Sequence, residues 1–154
     1  MVKAYTVVLV HTPAGYLVIN RLKPPYIGLW NGLGGKVEPE ETPAAGAMRE
    51  VREESGVRLD QVQACGLVHW YVDGQLRGDL YLFSGEGVLR APLPQATREG
   101  LLAAMSADWL TNPHNLGLVP DLAAMLPLFM AAKPGEYASH FAGEQFIDLV
   151  SVHD

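Results

Sequence analysis

Apolar and β-branched residues crowd the start of the chain, where Tyr5, Thr6, Val7, Val8, Leu9 and Val10 follow one another without a charge. Such a run predicts a buried strand over 4–11. Thr12, Pro13, Ala14 and Gly15 supply turn chemistry before a second strand over 16–22. A hairpin is the simplest pairing of the two, and a longer-range pairing is the alternative. Residues 23–35 are punctuated by Pro24, Pro25, Gly28, Gly32, Gly34 and Gly35 and read as a loop. A helix is expected over 43–55. Thr42 suits its N-cap, Pro43 its first turn, and Gly56 a left-handed end. Strands follow over 62–72 and 78–88, turning near Asp73 and Gly74. Pro92 and Pro94 mark another loop. The stretch 99–111 fits either a strand and a helical turn or one helix. Residues 118–131 read as an apolar helix, with Pro120 near its start and Pro127 inside it. A hairpin turning at Gly143 closes the pattern over 137–152. Strands on both sides of a central helix, with no regular βαβ alternation, predict a mixed sheet with helices packed on it.

Composition narrows the class. The chain has 154 residues, 49% apolar and 18% charged, which suits one globular domain over 1–154 and excludes wholesale disorder. A single cysteine, Cys65, excludes a disulfide framework and a cysteine-built zinc site. A formal charge of −6 argues against a protein that grips nucleic-acid polymers through their phosphates. The first apolar run is too short to span a membrane and lacks the features of a secretory signal. The expected setting is cytoplasmic, with no membrane partner.

The helix over 43–55 carries unusual charge. Glu50, Glu53 and Glu54 stand at i, i+3 and i+4, on one face and near the C-terminus. Like charges so spaced repel, and the helix dipole disfavours them there. Two readings account for this. One is a solvated acidic face paired with Arg49 and Arg52. The other is a site for a hard cation, Mg²⁺ or Mn²⁺, which carboxylate oxygens suit. On the second reading Glu53→Gln lowers kcat at least about 100-fold with the fold intact, and the loss of repulsion slightly stabilises the metal-free protein.

Reading outward from those glutamates gives Gly35, five residues, Glu41, seven residues, Arg49-Glu50-Val51, one residue, Glu53-Glu54, one residue, then Gly56-Val57. This spacing resembles the MutT/Nudix hydrolase family. The resemblance implies an α+β fold, an α/β/α sandwich with a mixed sheet between helices. It also implies a hydrolase that splits a nucleoside diphosphate linked to another moiety, using Mg²⁺, with Mn²⁺ as a substitute. Matched by position, Glu53 and Glu54 resemble the core metal ligands and Glu50 a further ligand or the general base. Arg49 resembles the residue that orients the carboxylates, with Glu41 a ligand through water or its partner. Gly34 resembles the residue whose backbone carbonyl completes the metal site. Lys36 is either a phosphate contact or a solvated charge. Glu99, outside the motif, is either the general base or a loop carboxylate.

Ala4-Tyr5-Thr6-Val7-Val8-Leu9-Val10 and Leu29-Trp30-Asn31-Gly32-Leu33-Gly34-Gly35-Lys36-Val37-Glu38 resemble the branch of the family that sanitises oxidised purine nucleoside triphosphates. By that resemblance Thr6 and Asn31 face the base, and an amide can both donate to and accept from a purine edge. Asn31 can equally bond its own loop. Trp70 is a candidate base-stacking residue, or core; Phe141 is a weaker one, and Trp30 is read as core ahead of base stacking. Where the branch has a Trp and two adjacent acids, this chain has Val119, Pro120, Asp121 and Leu122. Asp121 is therefore either a single base-reading acid or a helix cap. Dinucleoside polyphosphates and nucleotide sugars remain alternative substrates. A nucleotide-binding module without turnover is a second class, and an isomerase using Cys65 is a third. Either a monomer or a homodimer fits.

Overall fold

The computed structural model describes residues 2–153. The first strand, β1 (Ala4–Thr12), is followed by β2 (Gly15–Arg21), a short β3 (Trp30–Asn31) and helix α1 (Pro43–Ser55). Two long strands come next, β4 (Gln63–Val72) and β5 (Gln75–Glu86). They lead to β6 (Gln95–Ala96), β7 (Gly100–Met105), α2 (Ala107–Thr111) and α3 (Leu122–Ala131). The chain closes with the hairpin β8 (Glu136–Ala142) and β9 (Gln145–Ser151). All strands join one mixed sheet in the order β6-β7-β2-β1-β5-β4-β8-β9, with β3 also on β2. The β1–β5 and β4–β8 pairs are parallel.

The alternation of side chains along β1 explains the layers. Val8 and Val10 face α1, where Ala47 and Val51 pack with Leu17, Ile19, Phe83 and Leu102. Val7 and Leu9 face the other way, where Leu122, Met125, Leu126 and Phe129 of α3 pack with Val68, Leu80 and Leu82. Burial on both faces is what the uninterrupted apolar run of β1 requires. The expected α/β/α sandwich is thus present. No helix of the described residues is long and apolar enough to cross a membrane.

Several sequence expectations change in detail. The β1–β2 hairpin holds only at its closed end, where Val10 pairs with Leu17 and Thr12 with Gly15. Beyond that the strands part, and residues 30–37 fill the gap. On one side Asn31 pairs with Ile19 of β2. On the other, Val8 N donates to Leu33 O at 2.7 Å and Thr6 N to Gly35 O at 2.8 Å. The loop over 23–35 therefore contains a strand. The stretch 99–111 divides into β7 and α2. Helix α3 begins only at Leu122, and its interior Pro127 is accommodated.

Candidate active site

The glycine segment and α1 are built to touch. Thr42 caps α1 by accepting from Ala45 N, Pro43 sits in the first turn, and Gly56 (φ 77°) ends it. Gly34 has φ 131°, and a Cβ there would lie 2.1 Å from Thr6 O, so only glycine fits. Its N–H donates to Glu54 Oε1 at 2.8 Å. At Gly35 an added Cβ would lie 2.7 Å from Glu50 Oε1, so that carboxylate rests directly on the glycine backbone. The last two turns of α1 are thereby set against the segment wedged between β1 and β2.

Arg49 organises the acids. Its Nη2 donates to Glu41 Oε1 at 2.6 Å and its Nε to Glu41 Oε2 at 3.0 Å. Nη1 donates to Glu50 Oε1 at 3.1 Å and to Glu53 Oε2 at 3.2 Å. Nη2 also reaches Lys36 O at 3.2 Å. Hydrogen bonds from Arg49 and the Glu38 backbone hold the Glu41 carboxyl down to about 2, and donating to Glu41 pushes Arg49 higher still. Glu54 is in the opposite condition. Burial pushes its carboxyl up to about 8; the Gly34 hydrogen bond opposes this, and Glu50, Glu99 and Glu53 add to it. Burial raises Glu50 as well, against the pull of Arg49.

Helical spacing thus brings the three glutamates to one side, as expected, but not into a closed cage. Among the described residues no three His, Cys, Asp or Glu side chains converge on one point. The solvated-face reading holds for Glu53, which is 56% exposed and paired with Arg49. It fails for Glu54, a half-buried acid that has, among the described residues, one backbone donor and no cationic partner. Nothing among the described residues donates to the Gly34 carbonyl. Hard oxygen donors, one of them a desolvated carboxylate, are the donor set a divalent cation suits.

A cavity of about 350 Å³ opens beside this acidic face. Thr6, Asn31, Gly34, Glu54, Trp70, Glu99 and Asp121 all line it, drawn from widely separated parts of the chain. Thr6 Oγ1 is 3.3 Å from both Gly35 O and Gly35 N. Asn31 Oδ1 accepts from Gly32 N at 2.9 Å. Its carbonyl thus serves the loop, while the residue still lines the cavity. Trp70 meets Tyr5 edge to face at 6.3 Å, and both lie on the wall. Asp121 makes no side-chain capping bond, so the cap reading is not what the structure adopts. The residue lines the cavity, and burial pushes its carboxyl up to about 6.

Other candidates fall elsewhere. Lys36 bridges Tyr5 through its backbone and does not line the cavity. Trp30 packs edge to face on Trp109, as core. Phe141 is buried against Phe146. Cys65 is fully buried among core residues, which removes the isomerase reading. Sequence reasoning missed Tyr5, Arg21, Lys23 and Tyr26, all on the wall. Lys23 Nζ stands 3.9 Å from Glu99 Oε1.

In this sandwich α1 sets a glutamate-rich face against a glycine segment, beside the cavity. A NUDIX domain model matches residues 2–129, and the chain belongs to that family, as a Nudix hydrolase. It is 31% identical to the mouse oxidized purine nucleoside triphosphate hydrolase over 142 residues, covering 90% of this chain and 85% of the mouse protein. The crystal structure of the Mutator MutT protein from Bacillus halodurans shares the fold, with TM-score 0.76, 18% identity and 99% of each chain covered. The NUDIX domain of Shewanella oneidensis NrtR, solved with ADP ribose, aligns with TM-score 0.60 and 17% identity over 83% of this chain and 86% of that one. Nudix hydrolases generally work with divalent metal ions.

Proposed function

We propose that this enzyme hydrolyses purine nucleoside triphosphates, oxidised purines such as 8-oxo-dGTP among them, to the monophosphate and pyrophosphate in the cytosol. The observation that carries this reading is the shared cavity. Glu54 and Glu99 line it, and the charge of Glu99 acts on both Glu50 and Glu54. Thr6, Asn31, Trp70 and Asp121 line it too, with the mixed polar and aromatic chemistry a purine needs. The sequence similarity to the mouse enzyme supports the same substrate class.

Glu50, Glu53, Glu54 and the Gly34 carbonyl would hold Mg²⁺, with Mn²⁺ as a substitute. Such an ion offsets phosphate charge, polarises phosphorus and makes bound water more acidic. The chain's own residues do the rest. Arg49 holds the Glu50 and Glu53 carboxylates in place through Nη1. Glu99, which lines the cavity, takes the proton of the attacking water at a carboxylate oxygen. Asn31 and Asp121 orient the base, and Trp70 gives it an aromatic surface.

The deciding test is kcat/KM over natural and oxidised nucleoside triphosphates, dinucleoside polyphosphates and nucleotide sugars, with Mg²⁺, Mn²⁺ or EDTA. A purine triphosphate should lead, and EDTA should abolish turnover. Asn31→Ala should change the ranking among bases; an unchanged ranking would remove Asn31 from base recognition. Turnover confined to nucleotide sugars or dinucleoside polyphosphates would replace the reading.

A further inference from the structure

Tyr26 lies in the segment over 22–29 that covers one side of the cavity, and it combines three features. It has φ 66°, a left-handed conformation that side chains other than glycine and asparagine rarely adopt. Its ring lines the cavity and packs on the α3 side of the core. Its hydroxyl donates to Glu144 O at 2.8 Å, across 118 residues of sequence, in the turn between β8 and β9. That turn is itself anchored, since Gly143 N donates to Asp73 Oδ1 at 3.1 Å. The hydrogen bonds from Arg21 Nε to Pro25 O, Gly28 N to Arg21 O and Asn20 Nδ2 to Gly28 O, each 2.8 Å, are local, and Leu22 N to Glu99 O at 3.3 Å ties the start of the segment to the chain just before β7. The Tyr26 hydroxyl supplies the bond that ties its middle to the β8–β9 turn.

We propose that Tyr26 is a positioning residue: its hydroxyl latches the 22–29 segment over the cavity, and its ring limits the size of base that the cavity admits. The conformation carries part of the argument. An unusual φ persists where surrounding contacts over-determine it, and such residues concentrate at ligand clamps. Here the strained backbone turns an aromatic ring onto the cavity wall, and the hydroxyl bond holds it there. Burial, with Asp121 and Glu144 nearby, pushes the Tyr26 hydroxyl above its ordinary value, so it stays a donor through neutral pH. Tyr26 lines the cavity together with Asp121, whose charge acts on its hydroxyl, so the ring acts first on the bound base. The size limit rests on the proposed nucleotide reading; the latch itself does not.

Two variants test this. Tyr26→Phe removes the hydroxyl and keeps the ring; Tyr26→Ala removes both. Hydrogen exchange in the free protein should quicken at 22–29 in Tyr26→Phe by about tenfold, while α1 and β4 stay protected. With a purine triphosphate, KM should rise about tenfold and kcat stay within about twofold. In Tyr26→Ala, the kcat/KM of a benzyl-enlarged purine triphosphate relative to the natural one should rise about tenfold or more. Unchanged exchange in Tyr26→Phe overturns the latch. Quickened exchange with KM and size preference unmoved, on a wild type that cleaves nucleoside triphosphates, overturns the positioning role. A wild type that cleaves none of them overturns the nucleotide reading instead, and the exchange difference still decides the latch.

Discussion

Arg49 clasps Glu41 through two donors, Nη2 to Oε1 at 2.6 Å and Nε to Oε2 at 3.0 Å, with side chains only 19% and 16% exposed. A lysine has no planar pair of donors to reproduce this. Arg49→Lys should therefore cost about 2 kcal/mol in chemical denaturation and lower kcat as well, because Glu50 and Glu53 lose their shared partner. Glu41, held down to about 2, contributes stability that is present above its ordinary 4.5 and lost as pH falls towards 2. Urea midpoints between pH 6 and 2 should drop less steeply in Glu41→Gln than in the wild type.

Glu54 has the opposite sign. A carboxyl raised to about 8 binds its proton in the folded state across a range where the unfolded chain has released it. Its contribution is therefore lost as pH rises from 4.5 to 8. Glu54→Gln should raise the Tm of the metal-free protein at pH 8 and have little effect near pH 4, while reducing kcat at least 100-fold. Glu53→Gln should lose as much activity with no gain in Tm. The sequence assigns the relief of repulsion to Glu53, but that side chain is exposed and paired with Arg49. Equal thermal gains from the two variants would contradict this division.

His69 stands between two acids, with Nδ1 2.6 Å from Asp79 Oδ1 and Nε2 2.5 Å from Glu136 Oε2. Both ring nitrogens face acceptors, so the folded state favours the imidazolium, and hydrogen bonds to Glu136 and Asp79 raise it above 6.5. This stability is fully present below 6.5 and lost as pH rises through the higher folded value. His69→Gln should destabilise the protein more at pH 6 than at pH 9. Nitrogen-15 shifts of His69 should report two N–H groups at pH 7.

Asp121, pushed up to about 6, gains its charge just below neutral pH. A carboxylate accepts from the N–H groups of a guanine-type edge better than a protonated acid does. KM for a guanine nucleotide should fall as pH rises through about 6, and Asp121→Asn should lack that inflection. A pH–KM profile of both proteins checks this.

Much of this was readable along the chain because it is local. The caps of α1, the shared face of its glutamates and the alternation of β1 are set by residues a few positions apart. The tight turn at Asp73 and Gly74, with φ of 51° and 80°, is equally local. What escaped depends on distant partners. The placement of Tyr26 follows from a hydroxyl bond to residue 144, and the splaying of β1 from β2 follows from the insertion of residues 30–37. Strands as short as β3 and β6 have no periodicity to read. Trp30 and Trp70 look alike as aromatics, and only the packing of Trp109 and Tyr5 separates core from cavity wall.

The wall of the cavity joins Tyr5 to Met125. A nascent chain that has left the ribosome as far as α2 already holds every glutamate of α1, yet has neither Asp121 nor Met125 to shut the far side. The cavity wall is therefore complete only once α3 has been made and docked.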